Sequence, residues 1–116
     1  MPAITIYHKP TCTTCRSVYK LLQKAGVDFD AVDYYLEPIP KAKLKELLKK
    51  MGIPVRTLLR TNEPLYADLG LKEKQLSEDE IIDLMVKYPD LIQRPIVEKG
   101  PKAILARPAE KLKEIL

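Results

Sequence analysis

AITIYHKPTCTTCRS, residues 3–17, carries both cysteines and the single histidine of the chain. Its first six residues alternate apolar and polar side chains and include β-branched ones, a pattern typical of a strand. A short loop that contains Pro10 interrupts the strand, and a helix is predicted to begin at residues 12–14 and to stop at Gly26. The stretch therefore predicts a strand, a loop and a helix, with the cysteines at their junction.

A second strand and a hairpin are predicted further along the chain. VDFDAVDYY, residues 27–35, again alternates with period two, so strand, helix and strand make a βαβ unit with two parallel strands and a right-handed crossover. RPIVEKGPKAILAR, residues 94–107, reads as a β-hairpin around Gly100. An amphipathic helix is predicted from Pro108.

The region between these elements is predicted to be helical, because its apolar side chains recur at helical spacing. Pro40 opens one helix and Gly52 ends it, and Ser77–Glu80 matches a capping box. The element order predicts an α/β protein with a thioredoxin-like, or glutaredoxin-like, fold. We expect one domain over residues 1–116, a four-stranded mixed sheet built as β-α-β then β-β-α, with a helical insert at about 38–88.

The composition narrows the class of protein. The chain has 116 residues, of which 46% are hydrophobic and 31% charged, and it shows neither a long apolar run nor a charged-then-apolar leader. We therefore expect a cytoplasmic protein without a membrane span. The net charge of +4 hints at an anionic partner. Direct nucleic-acid binding is disfavoured, because no basic stripe is interleaved with aromatic residues.

The cysteine pair is the first candidate site. Cys12 is predicted to lie where unpaired N–H groups at the start of a helix stabilise a thiolate, which lowers a cysteine pKa from ~8.5 into a range of ~3.5–7.5. Arg16 and a protonated His8 are candidates to lower the pKa of Cys12 further. Cys15 follows one helical turn later, close enough to form a disulfide with Cys12.

Three other interpretations of the pair are weaker. A reducing cytosol and the short loop disfavour a structural disulfide, and a metal site would need ligands beyond His8, so no metal is predicted. Two inert apolar residues are the third alternative. A purely local role for His8 stays open. A phosphatase loop is excluded, because Val18 and Leu21 stand where it requires an arginine.

Three arginines form the second candidate site. Arg60, Arg94 and Arg107 each lie beside a predicted element boundary, and the last two directly precede prolines. In thioredoxin-like folds a cis-proline at the position of Pro95 lies against the cysteine loop, which would carry Arg94 beside Cys12. Guanidinium groups converging on one thiolate would bind a small, multiply charged oxyanion. The alternative is that each arginine pairs with a carbonyl or a carboxylate.

Five segments identify a family resemblance: YHKPTCTTCRS, YLEPIPKAKLKELLKKMGI, VRTLLRTNEPLYADLGL, LIQRPIVEKG and ILARPAEKL. Through them nearly the whole chain, from residue 4 to about residue 116, resembles the glutaredoxin-coupled arsenate reductases and the related Spx regulators. The resemblance implies that Cys12 is the nucleophile, that Arg60, Arg94 and Arg107 bind the oxyanion, and that His8 influences the cysteine. It further implies arsenate or a similar oxyanion as substrate, no bound cofactor, glutathione or a protein dithiol as co-substrate, and glutaredoxin or thioredoxin as partner.

Cys15 departs from this pattern. The glutathione-dependent reductases carry serine there, whereas a Cys12–Cys15 pair resembles the redox switch of Spx. Two alternatives follow: an Spx-like redox-sensing regulator that binds RNA polymerase, and a general glutaredoxin-type disulfide oxidoreductase. The retained arginines favour thiol-dependent reduction of arsenate to arsenite.

Overall fold

The computed structural model describes residues 3–116, which divide into two compact units. The first unit contains the residues up to Pro38 together with Arg94–Leu116, and the second contains Ile39–Gln93. The second unit includes the region in which the helical insert is predicted, at about 38–88, and the single domain over residues 1–116 stays a prediction.

The first unit is built on a four-stranded mixed sheet with the strand order β2-β1-β3-β4. The strands β1 and β2 are parallel and the hairpin of β3 and β4 is antiparallel, as predicted. The structure adds that β3 is also antiparallel to β1. One α-helix and one 3₁₀ helix complete the unit. In chain order its elements are β1 (Ile4–His8), α1 (Thr13–Lys24), β2 (Phe29–Asp33), β3 (Ile96–Lys99), β4 (Lys102–Leu105) and the 3₁₀ helix Ala109–Glu114.

One apolar cluster fixes α1 on a face of this sheet. Ile4 and Ile6 of β1 lie on the same face because strand side chains alternate. They pack with Val18 and Leu22, which share a face of α1 at i and i+4, and with Val97 of β3. The packing positions the N-terminus of α1, and with it the cysteine loop, at the end of β1.

The second unit is helical. Its α-helices are α2 (Lys41–Met51), α3 (Pro64–Asp68) and α4 (Glu78–Lys87), joined by 3₁₀ turns at Val55–Leu58 and Pro89–Leu91. The capping box predicted at the start of α4 is present: Glu80 N–H donates to Ser77 Oγ at 3.2 Å, and Ser77 N–H donates to Glu80 Oε1 at 3.0 Å. Gly52 ends α2 with a φ of 65°, a left-handed conformation that glycine adopts without strain.

Two elements differ from the sequence-based prediction. The second strand covers only Phe29–Asp33 and leaves Tyr34 and Tyr35 in the turn that follows. The final helix is a 3₁₀ helix with i→i+3 bonds, such as Lys111 N–H to Pro108 O, instead of an α-helix. As an α-helix, these six residues would make fewer than two turns, too few to gain much from the cooperativity of i→i+4 hydrogen bonds.

Candidate active site around Cys12

Cys12 is the N-cap residue of α1. Its backbone is extended, with φ −80° and ψ 129°, and its carbonyl accepts the first helical hydrogen bond from Arg16 N–H at 3.0 Å. The loop is closed on the other side by a 2.9 Å hydrogen bond from Cys12 N–H to Lys9 O. The N–H groups of the first helical turn therefore lie beside the sulfur, as the sequence predicted.

The surroundings of Cys12 stabilise its thiolate. Burial alone would raise the pKa of this thiol, but hydrogen bonds from Cys15 N–H, from the Cys15 thiol and from the Arg94 guanidinium, together with the charge of Arg94, lower the pKa to about 7. Because Cys12 is also partly exposed, it is the reactive member of the pair.

Cys15 has the opposite character. It is fully buried, and burial, followed by the proximity of the Cys12 thiolate, raises its pKa well above that of an ordinary thiol. Both cysteines are free. Cys15 is therefore protonated at neutral pH, and its thiol donates a hydrogen bond to Cys12.

Arg94 reaches Cys12 from the residue before the β3 strand. Its side chain is buried and hydrogen-bonds to Cys12 Sγ and to the hydroxyl of Tyr34, while Nη1 donates to Tyr35 Oη at 3.2 Å. Burial by itself lowers the pKa of Arg94, but these partners raise it further than burial lowers it, so the charge is kept. The bond between Arg94 and Pro95 is cis, as predicted.

Arg107 joins this group through the backbone. Its Nη1 donates to the Arg94 carbonyl at 2.9 Å, immediately before the cis bond to Pro95. This contact follows from the pairing of β3 with β4, which returns the chain to the edge of the sheet where β3 began. Cys12, Cys15, Arg94 and Arg107 are thus brought together within the first unit.

Arg60 lies in the second unit, after the 3₁₀ turn Val55–Leu58. Its Nε is 3.5 Å from Glu63 Oε2 in an ion pair. The backbone N–H of Arg60 donates to Leu91 O at 2.7 Å. The convergence of Arg60 on Cys12 stays a prediction.

His8 ends β1 and is buried. Burial lowers its pKa, against the opposing charge of Asp33, so the imidazole is neutral at pH 7 and supplies no second cation there. Its ring stacks on Tyr19 with the ring centroids 5.8 Å apart. Arg16 is exposed. Both residues border a cavity of about 490 Å³ beside α1, and their influence on the Cys12 pKa stays a prediction.

Residues 7–115 match the model of the ArsC family. This chain belongs to the ArsC family. It is 40% identical to the arsenate reductase of Escherichia coli K12 over all of this chain and 82% of that protein. It is also 40% identical to the uncharacterised Escherichia coli protein YfgD, over 97% of this chain and 96% of that one. A solved arsenate reductase from Vibrio cholerae aligns with a TM-score of 0.91 and 38% identity, over 97% of both chains.

Two tyrosines of this ArsC-family site were not predicted from the sequence to be site residues. Tyr34 and Tyr35 both hydrogen-bond with the Arg94 side chain, yet the alternating pattern placed them inside the second strand. The available signal was their position at the carboxyl end of that strand, because parallel strands β1 and β2 end at one edge of the sheet, where the cysteine loop also lies.

Two features are absent from residues 3–116, a metal-binding cluster and a membrane-spanning helix. No three His, Cys, Asp or Glu side chains in this range are grouped so as to hold a metal ion. Nor does any helix within it have the length and apolar character needed to cross a membrane.

The low pKa of Cys12 predicts an unusual pH profile for alkylation of this ArsC-family chain. Because only the thiolate reacts, labelling by iodoacetamide should rise with pH to a half-maximal rate near pH 7 and then level off. Mass spectrometry should find the label on Cys12, since Cys15 is buried and protonated. A profile that keeps rising through pH 9 would contradict the assignment.

Proposed function

We propose that this chain reduces arsenate to arsenite, with the Cys12 thiolate as nucleophile. The observation that carries the proposal is the Arg94 guanidinium hydrogen-bonded to a sulfur whose pKa is about 7. A thiolate and a fixed cation side by side suit an oxyanion that is attacked at its central atom. The arsenate reductases among its relatives, from Escherichia coli and Vibrio cholerae, support the same chemistry.

The first step forms a bond between sulfur and arsenic. The Cys12 thiolate attacks the arsenic of arsenate, one arsenic–oxygen bond breaks, and the departing oxygen takes up protons and leaves as water. Arsenic stays pentavalent in this adduct. The positive charge of Arg94 lies where the negative charge of the substrate oxygens must be held, so it favours both the approach of the anion and the transition state.

The second step transfers the electrons. A second thiolate attacks the Cys12 sulfur and forms a disulfide with it, while the electron pair of the sulfur–arsenic bond stays on arsenic. Arsenic becomes trivalent and leaves as arsenite. In total two thiols are oxidised to one disulfide, and arsenate loses one oxygen as water, so the reaction needs a thiol donor and no bound cofactor.

Cys15 is suited to be the second thiol. Burial raises the pKa of Cys15, and the Cys12 thiolate raises it further by its hydrogen bond and its charge. Once the Cys12 sulfur is bonded to arsenic it no longer carries that charge, so this second contribution is lost and the pKa of Cys15 falls toward the level set by burial. The resulting Cys12–Cys15 disulfide would then be reduced by thioredoxin or glutaredoxin. Glutathione is the competing attacker from solution.

The other two arginines have different roles in this proposal. Arg107 holds the Arg94 carbonyl at 2.9 Å and so fixes the segment from which the Arg94 side chain extends. Arg60, from the helical unit, is proposed as a further oxyanion ligand. Its ion pair with Glu63 would have to give way to the substrate oxygens.

Steady-state arsenite formation by wild type and Cys15→Ser tests the electron donor. With thioredoxin as reductant, wild type should turn over and Cys15→Ser should lose at least about tenfold, because thioredoxin needs the internal disulfide. With glutathione and glutaredoxin, Cys15→Ser should keep most of its activity, since glutathione attacks the Cys12 adduct directly.

Two results would contradict parts of this proposal. Absence of arsenite formation by wild type with both donors would rule out the reductase. Equal activity of Cys15→Ser and wild type with thioredoxin would mean that Cys15 is not the second thiol. A mixed-disulfide substrate, offered with the same reductants, distinguishes an arsenate reductase from a general disulfide oxidoreductase. Reduction of a mixed disulfide has no evident need for Arg94.

A further inference from the structure

The Arg94 guanidinium has hydrogen-bond partners besides Cys12. Arg94 is only 7% exposed, and its Nη1 donates to Tyr35 Oη at 3.2 Å. Its Nε makes no hydrogen bond within residues 3–116. An arginine side chain has many rotamers, so the partners at its far end decide where the charge lies. Those partners are Cys12 and the hydroxyls of Tyr34 and Tyr35.

Tyr35 is tied back to the cysteine loop. Lys9 Nζ lies 4.7 Å from the centroid of the Tyr35 ring, a cation–π contact, and the carbonyl of the same lysine accepts the Cys12 N–H at 2.9 Å. The backbone of Tyr35 is fixed as well, because its N–H donates to Asp33 Oδ1 at 3.0 Å in the turn after β2. The contacts therefore connect Cys12 to Arg94, Arg94 to Tyr35, and Tyr35 to Lys9, whose carbonyl binds Cys12 again.

We propose that Tyr35 is a positioning residue that holds the Arg94 guanidinium against the Cys12 sulfur. The turn at the end of β2 supplies the hydroxyl, and Lys9 keeps the ring over the loop that carries the thiol. Where the inference concerns catalysis it rests on the proposed arsenate reduction. Where it concerns the thiol itself it does not, because these contacts form without substrate.

Tyr35→Phe tests the hydroxyl alone, since phenylalanine keeps the ring and its contact with Lys9. Without the hydroxyl, Arg94 loses one of the two tyrosine hydroxyls that hold its guanidinium, so the half-maximal pH of Cys12 alkylation should rise by about half a unit or more. The kcat/KM for arsenate should fall about tenfold, the size expected for one hydrogen bond to a charged group. Tyr88→Phe, in the helical unit, is the matched control and should behave as wild type.

A double-mutant cycle with Arg94→Ala separates positioning from a general structural effect. If Tyr35 acts through Arg94, Tyr35→Phe should change neither the alkylation profile nor kcat/KM in the Arg94→Ala background. Circular dichroism and thermal unfolding establish that each variant is folded. We expect this of Tyr35→Phe, because Tyr35 is only half-buried and the ring is retained.

Each outcome bears on one claim. The Tyr35 inference is overturned if Tyr35→Phe leaves the alkylation profile unchanged while Arg94→Ala shifts it, or if the two variants have fully additive effects. If wild type forms no arsenite but Tyr35→Phe still raises the half-maximal pH, the proposed function fails and the positioning role stands. If wild type reduces arsenate and the alkylation profile does not move, only the positioning role fails.

Discussion

Cys12→Ser is expected to form no detectable arsenite with either donor system. The substitution keeps the size of the side chain and its place at the N-cap of α1. A serine hydroxyl is not ionised near pH 7, so the nucleophile is lost. Oxygen also cannot take the part of sulfur in the second step, in which the nucleophile is oxidised to a disulfide. The measurement is arsenite production under conditions in which wild type turns over.

The control for this experiment is Thr11→Ser, an equally small change at an exposed residue directly before Cys12. It should retain wild-type turnover. The midpoint of thermal unfolding of Cys12→Ser should lie close to that of wild type, which would establish that the variant is folded. Arsenite formation by Cys12→Ser at a rate near that of wild type would mean that another group is the nucleophile, and the proposed mechanism would fail.

Arg94→Ala is expected to lower kcat/KM for arsenate by about 10²–10³, the usual effect of removing one oxyanion ligand. Two physical effects contribute. The hydrogen bond and the charge that lower the pKa of Cys12 disappear, so less thiolate is present near pH 7. The substrate anion also loses its nearest fixed cation. Arsenite production and the pH profile of alkylation measure the two together.

The two effects can be separated by pH. Above about pH 9.5, alkylation should show that Cys12 is ionised in both wild type and Arg94→Ala. The difference in kcat/KM that persists there belongs to oxyanion binding. Arg56→Ala is the matched control, because the Arg56 guanidinium is bound to backbone carbonyls at Leu71 and Lys74 within the helical unit. Wild-type activity in Arg94→Ala would mean that Arg94 takes no part in the reaction.

Local patterns predicted most of the fold because they report local physics. Three predictions each depend on a few neighbouring residues: the strand from the alternation in residues 3–8, the capping box at Ser77 and the helix end at Gly52. Each is confirmed. The 3₁₀ character of Ala109–Glu114 was missed, because apolar spacing distinguishes poorly between the two helix types over only six residues.

The candidate site was only partly predictable for the same reason. The sequence identified Cys12 at a helix start, with Cys15 one turn later, and predicted that Arg60, Arg94 and Arg107 converge on it. It suggested a protonated His8 as a source of charge, whereas burial lowers the pKa of that imidazole and keeps it neutral. Burial depends on what packs around a side chain, and a single sequence does not reveal that packing.

The sequence by itself determined the order of strands and helices, the loop that carries the cysteines, and the membership of the ArsC family. Only the tertiary structure showed that Arg94 hydrogen-bonds to the Cys12 sulfur, that Tyr34 and Tyr35 bond to the same guanidinium, and that Cys15 is buried and protonated. The physical reason is that the pKa of Cys12 depends on contacts across the sheet, between residues brought together by the neighbouring positions of β2, β1 and β3.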